Sequence, residues 1–307
     1  MKPSHWFKWG IGLIILSLVG ILVHWPDSKL HIIACDVGQG DATLITRGFT
    51  QVLVDAGPGN KVIDCLSDNL PFWDRTLELT VMTHPQADHV EGFIDVIDHY
   101  QVKQLLANNV SSSANFFNQL QAAVIAASIP VYAPISGDQI KVGQLSFQVL
   151  WPSARMGDKR VWEKETQSVA EKLDNSNKPD QPQVLGAYPN DPNELSLVLK
   201  LSFVDTDLLL TGDIGTREEQ ALIDSNLLTD IDILKVAHHG SKSSSSLDFL
   251  RVVKPEIALI SAGRNNRYGH PASDTLIRLE TVGSEVLRTD QAGEIELITD
   301  GQTIHRK

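Results

Sequence analysis

Three short clusters of metal-ligand side chains, each placed directly after a strand-like apolar run, constrain this chain more than any other feature. The first follows Leu79–Met82 and reads Thr83-His84-Pro85-Gln86-Ala87-Asp88-His89. The second is Leu208-Leu209-Leu210-Thr211-Gly212-Asp213, and the third is Lys235-Val236-Ala237-His238-His239-Gly240-Ser241. Imidazole and carboxylate together are the donors that zinc and manganese prefer, and α/β proteins build sites at strand ends. A lone His-x-x-x-x-His is ordinary surface polarity; three ligand clusters at three strand ends are not. Pro85 forces a turn after its strand, and Asp88 and His89 open the next helix, so the chain curls around one point.

The hydropathy pattern alternates strands with helices. Leu30–Asp36, Asp41–Thr46 and Gln51–Asp55 read as a meander of β-branched strands with glycine turns. Helical spacing predicts helices at Lys61–Asn69, Val90–Tyr100, Ser113–Ala127, Arg217–Ser225, Leu247–Val253 and Ser273–Val282. Glu194–Ser202 pairs with Asp207–Leu210, and Glu285–Arg288 with Glu294–Thr299 is expected to close as a hairpin. Two βα-rich halves predict an α/β fold of four layers, αββα, around two packed sheets. Residues 153–191, rich in Lys, Asp, Gln, Asn and Pro, read as a long polar loop inserted in that domain.

With 307 residues the chain can bury a sizeable core, and its net charge of -12 excludes capture of nucleic acid by a broad basic face. A local basic patch or a bound cation stays compatible with that balance. Cys35 and Cys65 do not make a disulfide framework; Cys35 reads as a small buried residue, with a bridge to Cys65 left open. Residues 1–27 stand apart. Lys2 and Lys8 precede the uncharged run Gly10–Val23, bracketed by Trp6, Trp9 and Trp25. A helix from Trp6 to Trp25 would cover about 30 Å, enough for the hydrocarbon layer. Val23-His24-Trp25-Pro26 offers no small-x-small cleavage site, so a transmembrane signal anchor is expected, with residues 28–307 as a hydrolase domain outside the cytoplasm.

Five passages carry a family resemblance: Asp36-Val37-Gly38-Gln39-Gly40-Asp41-Ala42, His84–His89, Leu209–Asp213, Leu234–Ser241 and Tyr268-Gly269-His270-Pro271. Together they resemble the metallo-β-lactamase fold, whose signature is His-x-His-x-Asp-His, and more closely the corresponding domain of ComEC-type competence (DNA-uptake) proteins. The resemblance implies metal ligation by His84, Asp88, His89, Asp213 and His238, with His239 as an alternative to His238. It also implies that Asp55 is a buried supporting carboxylate, although a plain strand-terminal turn accounts equally well for it. Gln86 stands where the family has its second histidine, and the expected strand Asn193–Ser196 carries no third-motif histidine. One firm metal, zinc or manganese, and a second weaker one are therefore expected, the latter relying on His84, Asp213 and help from Gln86 or Asn193.

The chemistry implied is metal-assisted hydrolysis, with Asp88 orienting water and His270 donating a proton to the leaving oxygen. Asp41, brought in by the Gly38-Gln39-Gly40 turn, and Ser241 and Ser245, at a helix start, are candidates for substrate or phosphate binding. Lys242, Arg264 and Arg267 could add positive charge. The leading expectation is a membrane-anchored phosphodiesterase or nuclease acting on DNA, beside an uptake channel or independently. A lactonase or other ester hydrolase on the same fold is the second reading, and a metal-supported binding module without turnover is the third.

Overall fold

A computed structural model describes residues 9, 25–108, 112, 114–153 and 191–307. The expected anchor and most of the expected polar loop lie outside those residues. Among the described residues no helix is long and apolar enough to cross a membrane.

The first half runs β1 (Leu30–Ala34), β2 (Thr43–Arg47), β3 (Thr50–Val54), α1 (Lys61–Asn69), β4 (Thr76–Leu77), β5 (Leu79–Met82), α2 (Ala87–Val90), α3 (Phe93–His99), β6 (Gln101–Val102), β7 (Leu105–Ala107), α4 (Asn115–Ala126) and β8 (Val131–Tyr132). The second half runs β9 (Gln139–Val142), β10 (Leu145–Trp151), a 3-10 turn Pro192–Leu195, β11 (Val198–Phe203), β12 (Thr206–Leu210), α5 (Thr216–Asp224) and β13 (Ile233–Lys235). It continues with α6 (Leu247–Val253), β14 (Ile257–Ile260), α7 (Ser273–Thr281), β15 (Glu285–Arg288), α8 (Thr289–Ala292), β16 (Ile295–Thr299) and β17 (Ile304–Arg306).

Two large sheets result, in the orders β17-β16-β1-β2-β3-β5-β7-β8 and β15-β14-β13-β12-β11-β10-β9, and β4 pairs with β6 in a small third one. Strand alternation decides which residues face which layer. Leu30, Ile32, Ala34, Val52 and Val54 of the first sheet pack against Phe147, Leu199, Leu201, Leu208 and Leu210 of the second. The intervening residues face outward: Ile33 and Leu53 meet Leu66, Phe93 and Phe117 of α1, α3 and α4. On the far side Leu209, Leu234 and Ala258 meet Leu222, Phe249 and Leu279 of α5, α6 and α7. Each aliphatic side chain buried this way contributes roughly 1.5–3 kcal/mol. The four-layer αββα expectation is met.

The closing hairpin is not formed. β15 pairs in parallel with β14 in the second sheet, whereas β16 pairs antiparallel with β1 in the first. The chain crosses between sheets through α8, pinned by Thr289, whose Oγ1 accepts from Ala262 N at 2.9 Å and donates to Ala262 O at 3.0 Å. Two antiparallel-looking runs with a short connection do not reveal in sequence that their partners lie in different sheets. Asn193–Ser196 is also not a strand; its first three residues belong to the 3-10 turn that precedes β11.

Cys35 and Cys65 are joined in a disulfide that ties the end of β1 to α1 across 30 residues. A bridge of that span stabilises by about 3–4 kcal/mol in the chain-entropy account. Beside it the backbone packs too tightly for side chains. A Cβ on Gly92 would lie 2.2 Å from Ala56 O and 2.8 Å from Gly59 O, and neither backbone atom can retreat alone. Gly92→Ala should therefore cost about 1–3 kcal/mol in chemical denaturation, whereas Gly283→Ala, with open space around it, should lose only the smaller strain of its positive φ.

Candidate metal centre

Parallel strands bring the clusters together. β3 lies beside β5 in parallel register, Val54 opposite Val81, so the residues that leave both ends, Asp55 and Thr83-His84, are neighbours. β12, β13 and β14 are likewise parallel, and their ends deliver Asp213, His239 and Ser261.

Asp55 is buried in the left-handed region at φ 58°. Its Oδ1 accepts from Thr83 N at 2.8 Å, and its Oδ2 accepts from Thr83 Oγ1 at 2.7 Å. His89 Nδ1 is 2.8 Å from the same Oδ2. A carboxylate can only accept here, so Nδ1 of His89 carries the proton and Nε2 presents a lone pair. Thr83 Oγ1 has spent its hydrogen on Asp55. The 3.0 Å contact with His84 Nδ1 must therefore be donated by His84, leaving its Nε2 bare as well. The supporting role expected for Asp55 is the one the geometry gives it.

The second sheet repeats the device. His239 Nδ1 donates to Ser261 O at 3.0 Å, and Nε2 points inward, 3.3 Å from Asp88 Oδ2 and 3.7 Å from Asp213 Oδ2. His89 Nε2 lies 3.3 Å from Asp213 Oδ1. Asp213 itself is held by Ser196, whose Oγ accepts its backbone N–H at 3.2 Å.

Four buried ligand atoms, His84 Nε2, His89 Nε2, His239 Nε2 and Asp213 Oδ1, have no hydrogen-bond partner. Orphaned buried polar atoms are expensive, and those of His89, His239 and Asp213 lie together. One ligand atom from each of Asp41, His89, Asp213 and His239 fits within a 4.8 Å span. A divalent cation satisfies such a donor set of imidazole nitrogens and carboxylate oxygens.

His239, not the expected His238, is therefore the ring that turns into this cluster. Both residues have positive φ, 52° and 53°, a strained turn that rotates one ring into the core and leaves the other outside. His238 Nε2 stays 3.8 Å from Asp213 Oδ2, on a side chain 31% exposed. Asp88 sits at the lip of the centre, its side chain also 31% exposed.

Asp41 is buried in the cluster rather than set out for substrate, and Lys235 Nζ pairs with its Oδ1 at 2.5 Å. Burial opposes its charge, but Lys235, His239 and His89 hold its carboxyl below the usual range. The phosphate site expected at the serines is taken as well. The N–H groups of Ser245 and Ser246 donate to the buried Glu219 carboxylate, the second at 2.8 Å. Ser241 Oγ is 3.0 Å from Ser243 Oγ, and its backbone carbonyl accepts from Thr275. A carboxylate of this chain occupies the anion position that sequence reasoning reserved for a ligand.

Gln86 and Asn193 bond to one another, Gln86 Nε2 donating to Asn193 Oδ1 at 2.7 Å. The two departures from the family signature thus form one amide pair, beside His84, where a second cation would need charged donors. His270 Nδ1 is buried without a partner. Burial, together with His238 and His239, lowers its pKa, so it is neutral at pH 7 and can donate a hydrogen bond more readily than a full proton.

Sequence reasoning missed Lys235, Asn108 and Ser196. Lysine inside the apolar run Ile233-Leu234-Lys235-Val236 was the available signal, because a buried lysine demands a carboxylate. Asn108, one residue past β7, donates to Thr83 O at 3.0 Å and Leu195 O at 2.9 Å, tying the two sheets together at the site. Nothing in its local sequence marks it.

The metallo-beta-lactamase superfamily model matches residues 35–264, from Cys35 at the end of β1 to the loop after β14. The chain belongs to that superfamily. The metallo-beta-lactamase domain has relatives of the ComEC competence type. It is 28% identical over 313 residues to ComE operon protein 3 of Bacillus subtilis (strain 168), covering 93% of this chain and 35% of that protein. It is also 28% identical over 292 residues to Recombination protein 2 of Haemophilus influenzae, covering 92% of this chain and 31% of that protein. The chain thus spans about a third of these relatives' length. Among solved structures, the metallo-beta-lactamase fold protein YhfI from Bacillus subtilis matches with TM-score 0.50 at 10% identity, over 91% of this chain and all of that one. This last likeness concerns the fold alone.

Without a cation the centre holds charge of its own. Burial disfavours imidazolium, yet Asp213 and Asp55 raise the pKa of His89 well above its usual value. Asp213, Asp88 and Asp41 raise that of His239 in the same way, against burial. Burial and His89 instead lower His84 to about 3. A raised histidine stabilises the fold fully below its unfolded pKa of about 6.5 and loses that stabilisation as pH rises through the folded value. His84 acts oppositely and withdraws stability as pH falls below about 6.5. The chelated protein should therefore lose melting temperature from pH 7 upward, and manganese or zinc, which needs the deprotonated rings, should reverse that slope.

Ligand assignment gives a second expectation. His239→Ala should abolish tight metal binding in calorimetry and His238→Ala should leave it. Asp55→Asn, which breaks the shared acceptor, should weaken it about 10- to 100-fold.

Proposed function

We propose that this chain is a metal-dependent phosphodiesterase that cuts DNA, working outside the cytoplasm. The observation that carries the reading is the convergence of the unpartnered Nε2 atoms of His89 and His239 on the Asp213 carboxylate, with Asp41 in the same cluster. Such a set of imidazole nitrogens and carboxylate oxygens suits a divalent cation. The substrate class is supported by the competence-type relatives. The compartment is supported by the Cys35–Cys65 disulfide, since such bonds persist in oxidising surroundings. It is supported too by the uncharged run at 10–23, which would serve as the membrane anchor beside an uptake channel.

His89, Asp213 and His239 would hold the firm cation, with Asp88 at its edge and Asp41 adding charge from below. His84 would serve a weaker second one, shared through Asp213. A divalent cation there, zinc or manganese, supplies Lewis acidity toward a phosphoryl oxygen and acidifies water. The protein's own groups do the rest. The Asp88 carboxyl lies below its usual pKa; burial works against this, but His239 and His89 outweigh it, so Asp88 is ionised at neutral pH. It can accept the hydrogen bond that orients the attacking water. His270, one ring beyond His238 at a centroid distance of 5.9 Å, would donate a hydrogen bond toward the leaving oxygen.

The test uses the full chain in detergent, stripped by a chelator and returned to manganese, zinc or neither, with linear DNA as substrate. Cutting should require metal and disappear in Asp213→Ala with the fold retained by circular dichroism. Tight metal binding without cutting would turn the reading toward a small-ester hydrolase or a binding role.

A further inference from the structure

The loop after β14 carries a feature that the metal centre does not use. Tyr268 is 68% exposed, although a large aromatic ring gains by burial. Its ring is stacked on His270, with centroids 5.9 Å apart and planes 9° from parallel. His270 in turn stands 5.9 Å from the His238 ring, and His238 Nε2 is 3.8 Å from Asp213 Oδ2. A ladder of rings thus runs from solvent to the edge of the centre.

The loop is held firmly. Asn266 Nδ2 donates to Gly263 O at 2.9 Å and to His270 O at 2.6 Å, while Asn266 Oδ1 accepts from His270 N at 3.0 Å. Gly263 N donates to Gln39 Oε1 at 3.0 Å, joining the loop to the turn that carries Asp41. At the other end, a Cβ on Gly240 would lie 2.6 Å from Pro271 Cβ, so the backbones abut there. Arg264 and Arg267 are exposed on this loop, and Arg264 shares a groove with Lys61, Gln39 and the carboxylate of Asp36. The chain is strongly acidic as a whole, yet here Arg264, Arg267 and Lys61 outnumber the one carboxylate of the groove, Asp36.

We propose that Tyr268, backed by His270, is a stacking platform for a base of single-stranded nucleic acid, with Arg264, Arg267 and Lys61 along the path of its phosphates. The proposal rests on the phosphodiesterase reading and specifies its substrate. A flat, exposed, pre-positioned ring offers a face that every base can meet, and cations beside it serve the backbone. In a duplex the faces of the bases are already covered by neighbouring pairs, so only an unstacked strand can use the platform.

Binding of labelled phosphorothioate oligonucleotides, which resist cleavage, is measured by anisotropy on the full chain with manganese. Three probes are compared: a single strand, the same strand with abasic sites, and its duplex. Tyr268→Ala should weaken single-strand binding roughly 5- to 150-fold, the range for loss of one stacked base. Tyr268→Phe should bind as the parent does, and neither the abasic strand nor the duplex should respond. Unchanged single-strand affinity in Tyr268→Ala, or an equal loss on the abasic strand, overturns the platform. Hydrolysis of bis(p-nitrophenyl) phosphate by the same preparations separates the two readings, because a small diester needs no base platform. Turnover of that diester without Tyr268 dependence on DNA removes the platform alone. No turnover, with Tyr268 dependence intact, removes the catalytic reading and keeps the platform.

Discussion

One buried carboxylate sets the terms for the rest of the centre. Asp55 gathers the Thr83 N–H, the Thr83 hydroxyl and the His89 Nδ1 proton on two oxygens. Because that hydroxyl is committed to Asp55, His84 must also place its proton on Nδ1. A single residue thereby fixes the tautomer of two imidazoles and aims both Nε2 lone pairs inward. This works only because β3 and β5 are parallel neighbours in register, which brings residue 55 beside residue 83. The left-handed backbone at Asp55 is the local cost of turning its side chain across to Thr83.

The opposite wall is organised by charge. Lys235 and Asp41 are both buried and paired at 2.5 Å. Breaking such a pair by removing one partner typically costs about 3–5 kcal/mol, because the survivor is left charged and desolvated. The pair anchors the β1–β2 turn to β13, and Gly40 lets that turn close on the helix carrying Asp88. A Cβ at Gly40 would lie 2.3 Å from Asp88 O. Against these ionic donors the Gln86–Asn193 amide pair is a neutral patch. That contrast is the reason the proposal assigns one firm cation position and one weaker one.

Much of this was legible in the sequence, because period-two apolar runs ending in ligand residues fix both the layers and the ends at which the site forms. The meander, the four layers and the placing of His84, His89 and Asp213 just past strand ends follow from that pattern, while their individual roles were implied by the family resemblance. Three matters did not follow. His238 and His239 are adjacent and chemically identical, and only the consecutive positive φ values decide which ring turns inward. The serine run looked free to bind phosphate because Glu219, which occupies its amides, lies 26 residues upstream on another helix. The β15–β16 segment read as a hairpin because sheet membership is a long-range property, set by β14 and β1 rather than by the turn between.

The central claim is that bare lone pairs of His89 and His239, together with Asp213, hold the firm cation. Anomalous scattering from crystals grown with manganese tests it most directly. The account predicts a strong peak enclosed by His89, Asp213 and His239, with His238 outside. A peak held by His238 while the His239 ring is turned away, or no peak at all in this cluster, would contradict it.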